Sequence, residues 1–166
     1  MKQQSNRLKK AAAILILVVA AALLIGTFTR PGSLVLKNGV TGEVYARYPM
    51  REGEGFSVGF IHSVNKSPVT DEYEIRNGQI TVVRTIYYGF GAGVQTQIEE
   101  GQTLTYGEDG SMIVSGFDTP MPNLQYIVGT VSDHILTVNG EEISLRDLCG
   151  RNSLVRFVYE APWPRR

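Results

Sequence analysis

The sequence is poor in the side chains that most often build metal and redox centres. Its 166 residues include one cysteine, Cys149, and two histidines, His62 and His134. A single cysteine excludes an intramolecular disulfide and a four-cysteine zinc site, and two histidines leave little material for a histidine-rich centre. We therefore expect neither a metal nor a cofactor, and we expect Cys149 to be buried.

The chain also lacks a net charge, because 16 Lys and Arg residues balance 16 Asp and Glu residues. Phosphate recognition needs an excess of cations, so a nucleic-acid partner is not expected. The charges are unevenly distributed, however. Residues 1–29 hold four cations and no acid, whereas residues 30–166 hold 12 cations and 16 acids, which gives a net charge of −4.

No charged residue interrupts the apolar run at residues 11–28, which is 18 residues long. A helix of that length measures about 27 Å, close to the hydrocarbon thickness of a bilayer. The four cations before it favour a cytoplasmic N-terminus. The sequence therefore predicts a cytoplasmic basic tail at residues 1–10, a single-pass transmembrane signal anchor at residues 11–28 and a linker at residues 29–33, with the rest outside the cell membrane.

A cleaved signal peptide, which would release a secreted protein, is the alternative. Its apolar region usually spans about 7–15 residues and ends at a small-x-small cleavage site. The apolar run here is longer, and residues 29–33 contain no such site. We therefore favour the uncleaved anchor.

The residues after the apolar run carry few helical signals and many turn signals. Four Asn-Gly or Asp-Gly pairs suit the type I′ turns of β-hairpins. These pairs begin at Asn38, Asn77, Asp109 and Asn139. Segments with strand-like alternation flank them at intervals of about a dozen residues, as in sandwiches and barrels. We predict an all-β antiparallel sandwich or barrel-like exported domain at residues 34–160, followed by a flexible tail at residues 161–166.

One hairpin can be assigned a register from the sequence. If the pair that begins at Asn77 forms a two-residue loop, Tyr73 faces Val82 and Asp71 faces Arg84. These pairs would lie on one side of the hairpin, with an opposite-charge pair at its end. A shift of one residue would mix apolar and polar side chains, so the pattern supports this register.

The densest polar segment, residues 62–73, begins at the end of a predicted strand. His62 continues the apolar stripe of that strand, and it could act as a general base with Asp71 or Glu72 as the orienting acid. That arrangement would make the protein a small extracytoplasmic hydrolase. The plainer interpretation is a half-buried histidine that donates hydrogen bonds to loop carbonyls. Because no recognised catalytic motif occurs, we assign no catalytic residue and do not expect an enzyme.

A glycine-rich segment at residues 89–93 follows the hairpin. Alternating glycines allow a sharp turn or a close approach of backbone to a ligand. No convincing helix follows the segment, so it does not indicate a phosphate-binding loop. The two segments together supply the residues that we expect to contact a ligand or partner: His62, Ser63, Lys66, Glu72, Tyr73, Gly91 and Gly93.

The sequence HSVNKSPVTDEY at residues 62–73, followed by GFGAG at residues 89–93, resembles the domain of unknown function 1850 (DUF1850) family. The resemblance covers about residues 34–159. The family pattern has Glu where Asn65 stands and Thr where Ser67 stands, so no role for that acid transfers to this chain. The resemblance implies a small exported protein encoded beside tripartite ATP-independent periplasmic (TRAP) transporters of the TAXI type, and it implies no particular activity.

These observations predict a membrane-anchored extracytoplasmic β-domain. We expect it to be an accessory or binding module associated with a TRAP-type solute transporter, in contact with a transporter subunit or its solute-binding protein. The alternatives are the hydrolase described above and a purely structural interaction module that binds no ligand.

Overall fold

The computed structural model of the protein describes four stretches of the chain. They are residues 14–19, 31–64, 66–89 and 98–162. The chain divides into two units, and one of them, Gly32–Ala161, contains all the described strands. The other comprises Met1–Pro31 and Pro162–Arg166, and residues 14–19 within it are helical.

The predicted transmembrane segment, residues 11–28, lies mostly outside the described residues, and so does most of the predicted tail. In the stretches that the structure does describe, no helix has both the length and the apolar character needed to cross a bilayer.

Eleven β-strands and one short helix make up the unit Gly32–Ala161 in the described stretches. The strands are β1 (Gly32–Asn38), β2 (Val44–Met50), β3 (Gly55–Ile61), β4 (Pro68–Arg76), β5 (Gln79–Tyr87), β6 (Thr103–Tyr106), β7 (Met112–Pro120), β8 (Gln125–Ile127), β9 (His134–Val138), β10 (Glu141–Ser144) and β11 (Leu154–Glu160). The helix, Leu145–Cys149, lies between β10 and β11. The prediction of an antiparallel all-β domain is confirmed, although β6 was not among the predicted strands.

The strands form two open antiparallel sheets. The smaller sheet has the order β2-β1-β11-β8, and the larger one has the order β10-β9-β3-β4-β5-β7-β6. Most neighbours are consecutive hairpin strands, but β1 pairs with β11, the last strand of the chain.

Both sheets contribute side chains to one large core cluster. Leu34 and Phe157 come from the smaller sheet, and Phe56, Val58 and Leu136 come from the larger one. The Phe56 and Phe157 rings stack with their centroids 5.7 Å apart. This stack joins the two sheets, because β3 and β11 belong to different sheets.

Two of the four predicted type I′ turns have the required backbone. Asn77 and Asn139 both have positive φ, as do the glycines that follow them. The pair at Asp109 lies within a longer connection, and only its glycine has positive φ. At Asn38 the prediction is wrong: neither residue of the pair has positive φ, and the β1–β2 connection runs to residue 43.

The predicted register of the β4–β5 hairpin is correct near the turn and wrong beyond it. Tyr73 faces Val82 as predicted, but a bulge then adds one residue to β5. Glu72 therefore faces Arg84, and Asp71 faces Thr85. A bulge changes which side chains point to each face. The bulge turns Arg84 outward, where it forms an ion pair with Glu72. It turns Thr85 inward, where the side chain is 5 % exposed.

The single cysteine is only partly buried, at the end of the short helix. The prediction of a buried thiol is thus too strong. Burial nonetheless raises the pKa of Cys149 to about 11, so its thiol stays protonated at neutral pH.

The stacked core predicts a large loss of stability on truncation. Phe157 is 1 % exposed, so Phe157→Ala should reduce the free energy of unfolding by about 3–5 kcal/mol. Urea unfolding followed by fluorescence measures the change. Ile127→Ala on β8 of the same sheet is the control, since Ile127 is 63 % exposed and should change stability by less than about 0.5 kcal/mol. Equal losses in the two variants would contradict the proposed core.

Candidate functional site

The connection between β3 and β4 is a short loop closed by backbone hydrogen bonds. His62 N donates to Ser67 O at 2.9 Å, and Lys66 N donates to His62 O at 3.0 Å. Lys66 has φ of 56°, a conformation that non-glycine residues seldom adopt. The loop is therefore a defined turn that presents its side chains at one end of the larger sheet.

His62 is half-buried at the start of this loop, one residue after β3 ends. Its Nδ1 accepts a hydrogen bond from Val64 N at 3.3 Å. This contact differs from the predicted bond to loop carbonyls, because the ring nitrogen accepts from a backbone N–H group.

The structure does not bring His62 together with the two acids considered as its partners. Asp71 accepts hydrogen bonds from Thr85 and Tyr126, and Glu72 forms an ion pair with Arg84. Asp71 also faces Val58, four residues before His62 along β3. At about 3.3 Å per residue, that offset leaves His62 out of hydrogen-bond reach of Asp71.

The other predicted contact residues lie in different surroundings. Ser63 and Lys66 are exposed in the loop, and Glu72 lies on the outer face of β4. Tyr73 lies on the inner face and is only 4 % exposed, so it belongs to the core rather than to a contact surface. Alternation along the strand explains the difference, since neighbouring residues point to opposite faces.

The predicted contacts Gly91 and Gly93 lie outside the described residues, but the start of the glycine-rich segment can be placed. A Cβ atom at Gly89 would lie 3.4 Å from Ser67 Oγ, so Gly89 adjoins the β3–β4 loop. The Ser67 hydroxyl is buried and has no hydrogen-bond partner among the described residues. The two segments that the sequence singled out therefore meet at the same end of the larger sheet.

A shallow groove of about 350 Å³ opens beside this loop on the outer face of the larger sheet. Its lining residues are Gly59, Phe60, Ile61, Pro68, Val69, Thr70, Asp133 and Ile135. The groove exists because Gly59 has no side chain on the outer face of β3: a Cβ there would meet nothing nearer than Thr70 Oγ1 at 3.5 Å. Apart from Thr70 and Asp133, the lining is apolar.

Exposed apolar side chains surround the loop end. Ile61 is 41 % exposed and Val64 is 65 % exposed. Ser132 Oγ donates to Ile61 O at 3.2 Å and attaches the β8–β9 connection to the end of β3. Val131, next to Ser132 in that connection, is 90 % exposed. We call Ile61, Val64, Val131 and the groove the loop-end surface.

Hydrogen bonds hold the β8–β9 connection in place. Arg146 donates a guanidinium hydrogen bond to Val131 O at 3.1 Å. Asp133 accepts from the backbone N of His134 and of Arg146 and from the Ser144 hydroxyl. Burial alone would raise the pKa of Asp133, but these hydrogen bonds keep it below its usual value. Asp133 is therefore a charged group at the edge of the groove at neutral pH.

A second polar cluster lies between the two sheets. Tyr126 of β8 donates to Asp71 Oδ2 at 2.8 Å, and Thr85 donates to Asp71 Oδ1 at 2.9 Å. The Tyr73 and Tyr126 hydroxyls are 2.5 Å apart. Because Tyr126 uses its proton on Asp71, Tyr73 is the donor in that bond. We call Asp71, Tyr73, Thr85 and Tyr126 the Asp71 cluster.

The Asp71 cluster suits a structural role better than a catalytic one. Both carboxylate oxygens already accept a hydrogen bond from the protein. Burial, followed by the charge of Asp71, raises the pKa of both tyrosines above the ordinary value, so the two hydroxyls stay protonated. The cluster joins β4 and β5 of the larger sheet to β8 of the smaller one.

His134 packs beside this cluster. Its ring centroid is 5.1 Å from that of Phe60 and 5.6 Å from that of Tyr126. Burial lowers the pKa of His134, and its Nδ1 accepts a hydrogen bond from Gly129 N at 3.2 Å. His134 is thus a neutral, half-buried side chain next to the core. The described residues contain no group of three His, Cys, Asp or Glu side chains placed to bind a metal ion.

Sequence reasoning missed Tyr126 as a hydrogen-bond partner of Asp71. Nothing local signals Tyr126, since it lies 55 residues away along the chain. The inward position of Asp71 was a usable signal, because the same alternation that buries Tyr73 also points Asp71 toward the core.

The position of Asp71 makes stability depend on pH in a definite direction. Burial raises the pKa of Asp71 in the folded protein, and the hydrogen bonds from Tyr126 and Thr85 only partly offset it. The stabilisation linked to protonated Asp71 is present below the unfolded pKa and is lost as the pH rises through the folded pKa. Relative to Asp71→Asn, the wild-type free energy of unfolding should therefore fall as the pH rises above about 4, the ordinary pKa of a carboxyl group. Urea unfolding at matched pH measures this difference, and a wild-type advantage that grows with pH would contradict it.

Comparison with known proteins identifies a family. A family model described as "Domain of unknown function (DUF1850)" matches residues 56–145. No curated protein and no solved structure matches the chain. The matched residues run from β3 to the first residue of the short helix and include the loop-end surface and the Asp71 cluster. Because this match covers more than half of the 166 residues, the chain belongs to the DUF1850 family.

Proposed function

We propose that the protein is a membrane-anchored extracytoplasmic binding module, in which a β-sandwich domain contacts a partner protein through the loop-end surface. The observation that carries this proposal is the apolar groove of about 350 Å³ beside Ile61 and Pro68. Exposed apolar side chains around the groove extend the surface. Apolar patches with a polar rim are typical of protein interaction sites.

The form of the groove favours a protein partner over a small-molecule cargo. Small-molecule sites usually enclose most of the ligand surface in a concave pocket of about 300–1,000 Å³. This groove is near the lower end of that range and lies on an open sheet face. It suits one apolar side chain that projects from a partner surface, with Thr70 and Asp133 at the edge to receive hydrogen-bond donors.

A TRAP-type solute transporter is the partner implied by the family resemblance, through either a membrane subunit or the solute-binding protein. The proposal assigns the chain an accessory role and no catalytic step. A purely structural module would use the same surface without a dedicated partner, so the two interpretations differ in whether a defined complex forms.

The proposed anchor is the apolar run at residues 11–28. Its support is the absence of charge over 18 residues and the four cations that precede it. Residues 14–19 are helical, and their side chains are between 49 % and 69 % exposed. Six consecutive exposed apolar side chains are costly in water and favourable in lipid.

Filling the groove should weaken the proposed complex. Gly59→Val adds a side chain where the structure has room, and valine favours strands, so the fold should persist. Loss of one apolar anchor costs about 1–3 kcal/mol of binding, or roughly tenfold or more in affinity. The measurement is detergent copurification of the tagged full-length chain with the transporter subunits of the same genome.

Ser57→Val is the matched control, because Ser57 lies two residues away on the same outer face of β3 and does not line this groove. It should copurify like the wild type. If the wild type retains no transporter subunit, or if Gly59→Val retains as much as Ser57→Val, the proposal fails.

Removal of the apolar run should release the domain from membranes. We expect the full-length chain to sediment with membranes and to resist extraction by high salt and by alkaline carbonate, as an inserted helix does. A variant that starts at residue 31 behind a cleavable export signal should be recovered as a soluble extracytoplasmic protein. Recovery of the full-length chain in the soluble fraction would contradict the anchor.

A further inference from the structure

Four strands lie at the edges of the two sheets, and they differ in how well their edges are protected. These strands are β2, β8, β6 and β10. Natural proteins block open edges with charges, prolines or very short strands. β2 contains Arg47 and Pro49, β10 begins with Glu141 and Glu142, and β8 has only three residues. β6 is short as well, with four residues, but it contains neither a charged residue nor a proline.

β6 is a neutral, exposed strand with the sequence Thr-Leu-Thr-Tyr. All four residues are exposed, and none is charged or proline. β7 pairs with one side of β6, and no described strand pairs with the other side. The edge therefore offers free backbone donors and acceptors to an additional strand.

The ladder indicates which backbone groups point outward. Gly107 and Ser111 lie just beyond the paired strands. They form a hydrogen-bonded pair, because Gly107 N donates to Ser111 O at 2.9 Å. Antiparallel pairs alternate between bonded and non-bonded types. Thr105 and Thr103 therefore bond to β7, whereas Leu104 and Tyr106 direct their N–H and C=O groups away from it.

The side chains of Leu104 and Tyr106 also suit an added strand. They face Val114 and Met112 of β7, which are buried in the smaller core cluster of the larger sheet. Leu104 and Tyr106 extend this apolar face from β7 to the edge strand β6. Leu104 is 37 % exposed there, and Tyr106 is 67 % exposed. An added strand would cover both with apolar side chains of its own.

Carboxylates flank the edge strand at both ends. Glu99 and Glu100 precede it, and Glu108 and Asp109 follow it. Hydrogen bonds from Ser111 and Tyr88 lower the pKa of Asp109 to about 2, so it is charged at any physiological pH. No ion pair with a described residue engages the three glutamates.

We propose that β6 accepts an extended segment of a partner protein as an eighth strand of the larger sheet, and that this segment has alternating apolar residues and cations at its ends. Charge complementarity selects this occupant. A second copy of β6, paired antiparallel, would bring the Glu99 end of one chain against the Glu108 end of the other, and like charges in register repel. This inference does not depend on the loop-end surface.

The experiment uses the full-length chain in detergent and two fluorescent nine-residue peptides. The first is Lys-Arg-Thr-Val-Thr-Val-Thr-Lys-Arg, and the second has Glu and Asp in place of the four cations. Fluorescence anisotropy should show that the basic peptide binds roughly tenfold or more tightly than the acidic one. Added salt should reduce that difference, because exposed charges are screened.

Two sets of variants test whether β6 is the binding site. Leu104→Pro removes an outward N–H group and should weaken binding of the basic peptide about tenfold, whereas Leu104→Thr keeps the N–H group and should weaken it less. If Leu104→Pro fails to fold, the combination of Glu100→Lys and Glu108→Lys decides, because it leaves each end of β6 with no net charge and should abolish the preference for the basic peptide.

Equal affinity of the wild type for the two peptides, no binding of either, or an unchanged preference in the Glu100→Lys and Glu108→Lys variant would overturn the proposal. A wild-type dimer that Leu104→Pro dissociates would also overturn it, since a second copy would then occupy the edge. Circular dichroism and thermal unfolding of each variant separate loss of binding from loss of fold.

Discussion

The hydrogen bonds to the Asp71 carboxylate join the two sheets, and they depend on one extra residue in β5. Because Val83 forms a bulge, Thr85 rather than Arg84 faces Asp71. The carboxylate thus receives a neutral hydroxyl from its own sheet and the Tyr126 hydroxyl from the other. A regular ladder would instead place a guanidinium between the sheets, where an ion pair must be desolvated at considerable cost.

The same bulge affects the outer face of the larger sheet. Arg84 turns outward and pairs with Glu72, so the middle of this face carries balanced charges. The apolar groove lies farther along β3, where Gly59 leaves space and Ile61 ends the strand. Neighbouring stretches of β3, β4 and β5 therefore form both the Asp71 cluster in the interior and the groove on the outer face.

Local sequence patterns were enough to predict the fold class and part of the hairpin geometry. The turns at Asn77 and Asn139 followed from dipeptides whose backbone preferences need no tertiary contact. The bulge and the Tyr126 contact were not predictable in this way, since both depend on packing between segments distant in sequence. β6 was missed because a four-residue strand with no buried side chain carries almost no hydrophobic pattern.

The sequence singled out two segments but did not show how they lie in the fold. The polar and glycine-rich segments adjoin at Ser67 and Gly89, a contact that was not predicted. The sequence did not show that Tyr73 lies in the core or that the groove depends on Gly59. A glycine has no side chain and adds nothing to a hydrophobic pattern. The space that it leaves becomes a groove only when the neighbouring strands pair in register.

The pairing of the first strand with the last has a consequence for how the domain folds. Ser33 of β1 lies opposite Glu160 of β11, so almost the whole domain separates two adjacent strands. Such long-range pairing slows folding, because the entropy of closing the loop is lost before the contacts form. During synthesis, the larger core cannot be completed until Phe157 has emerged. Until then β1 lacks its neighbour β11, and the inner face of the larger sheet lacks the ring that stacks on Phe56.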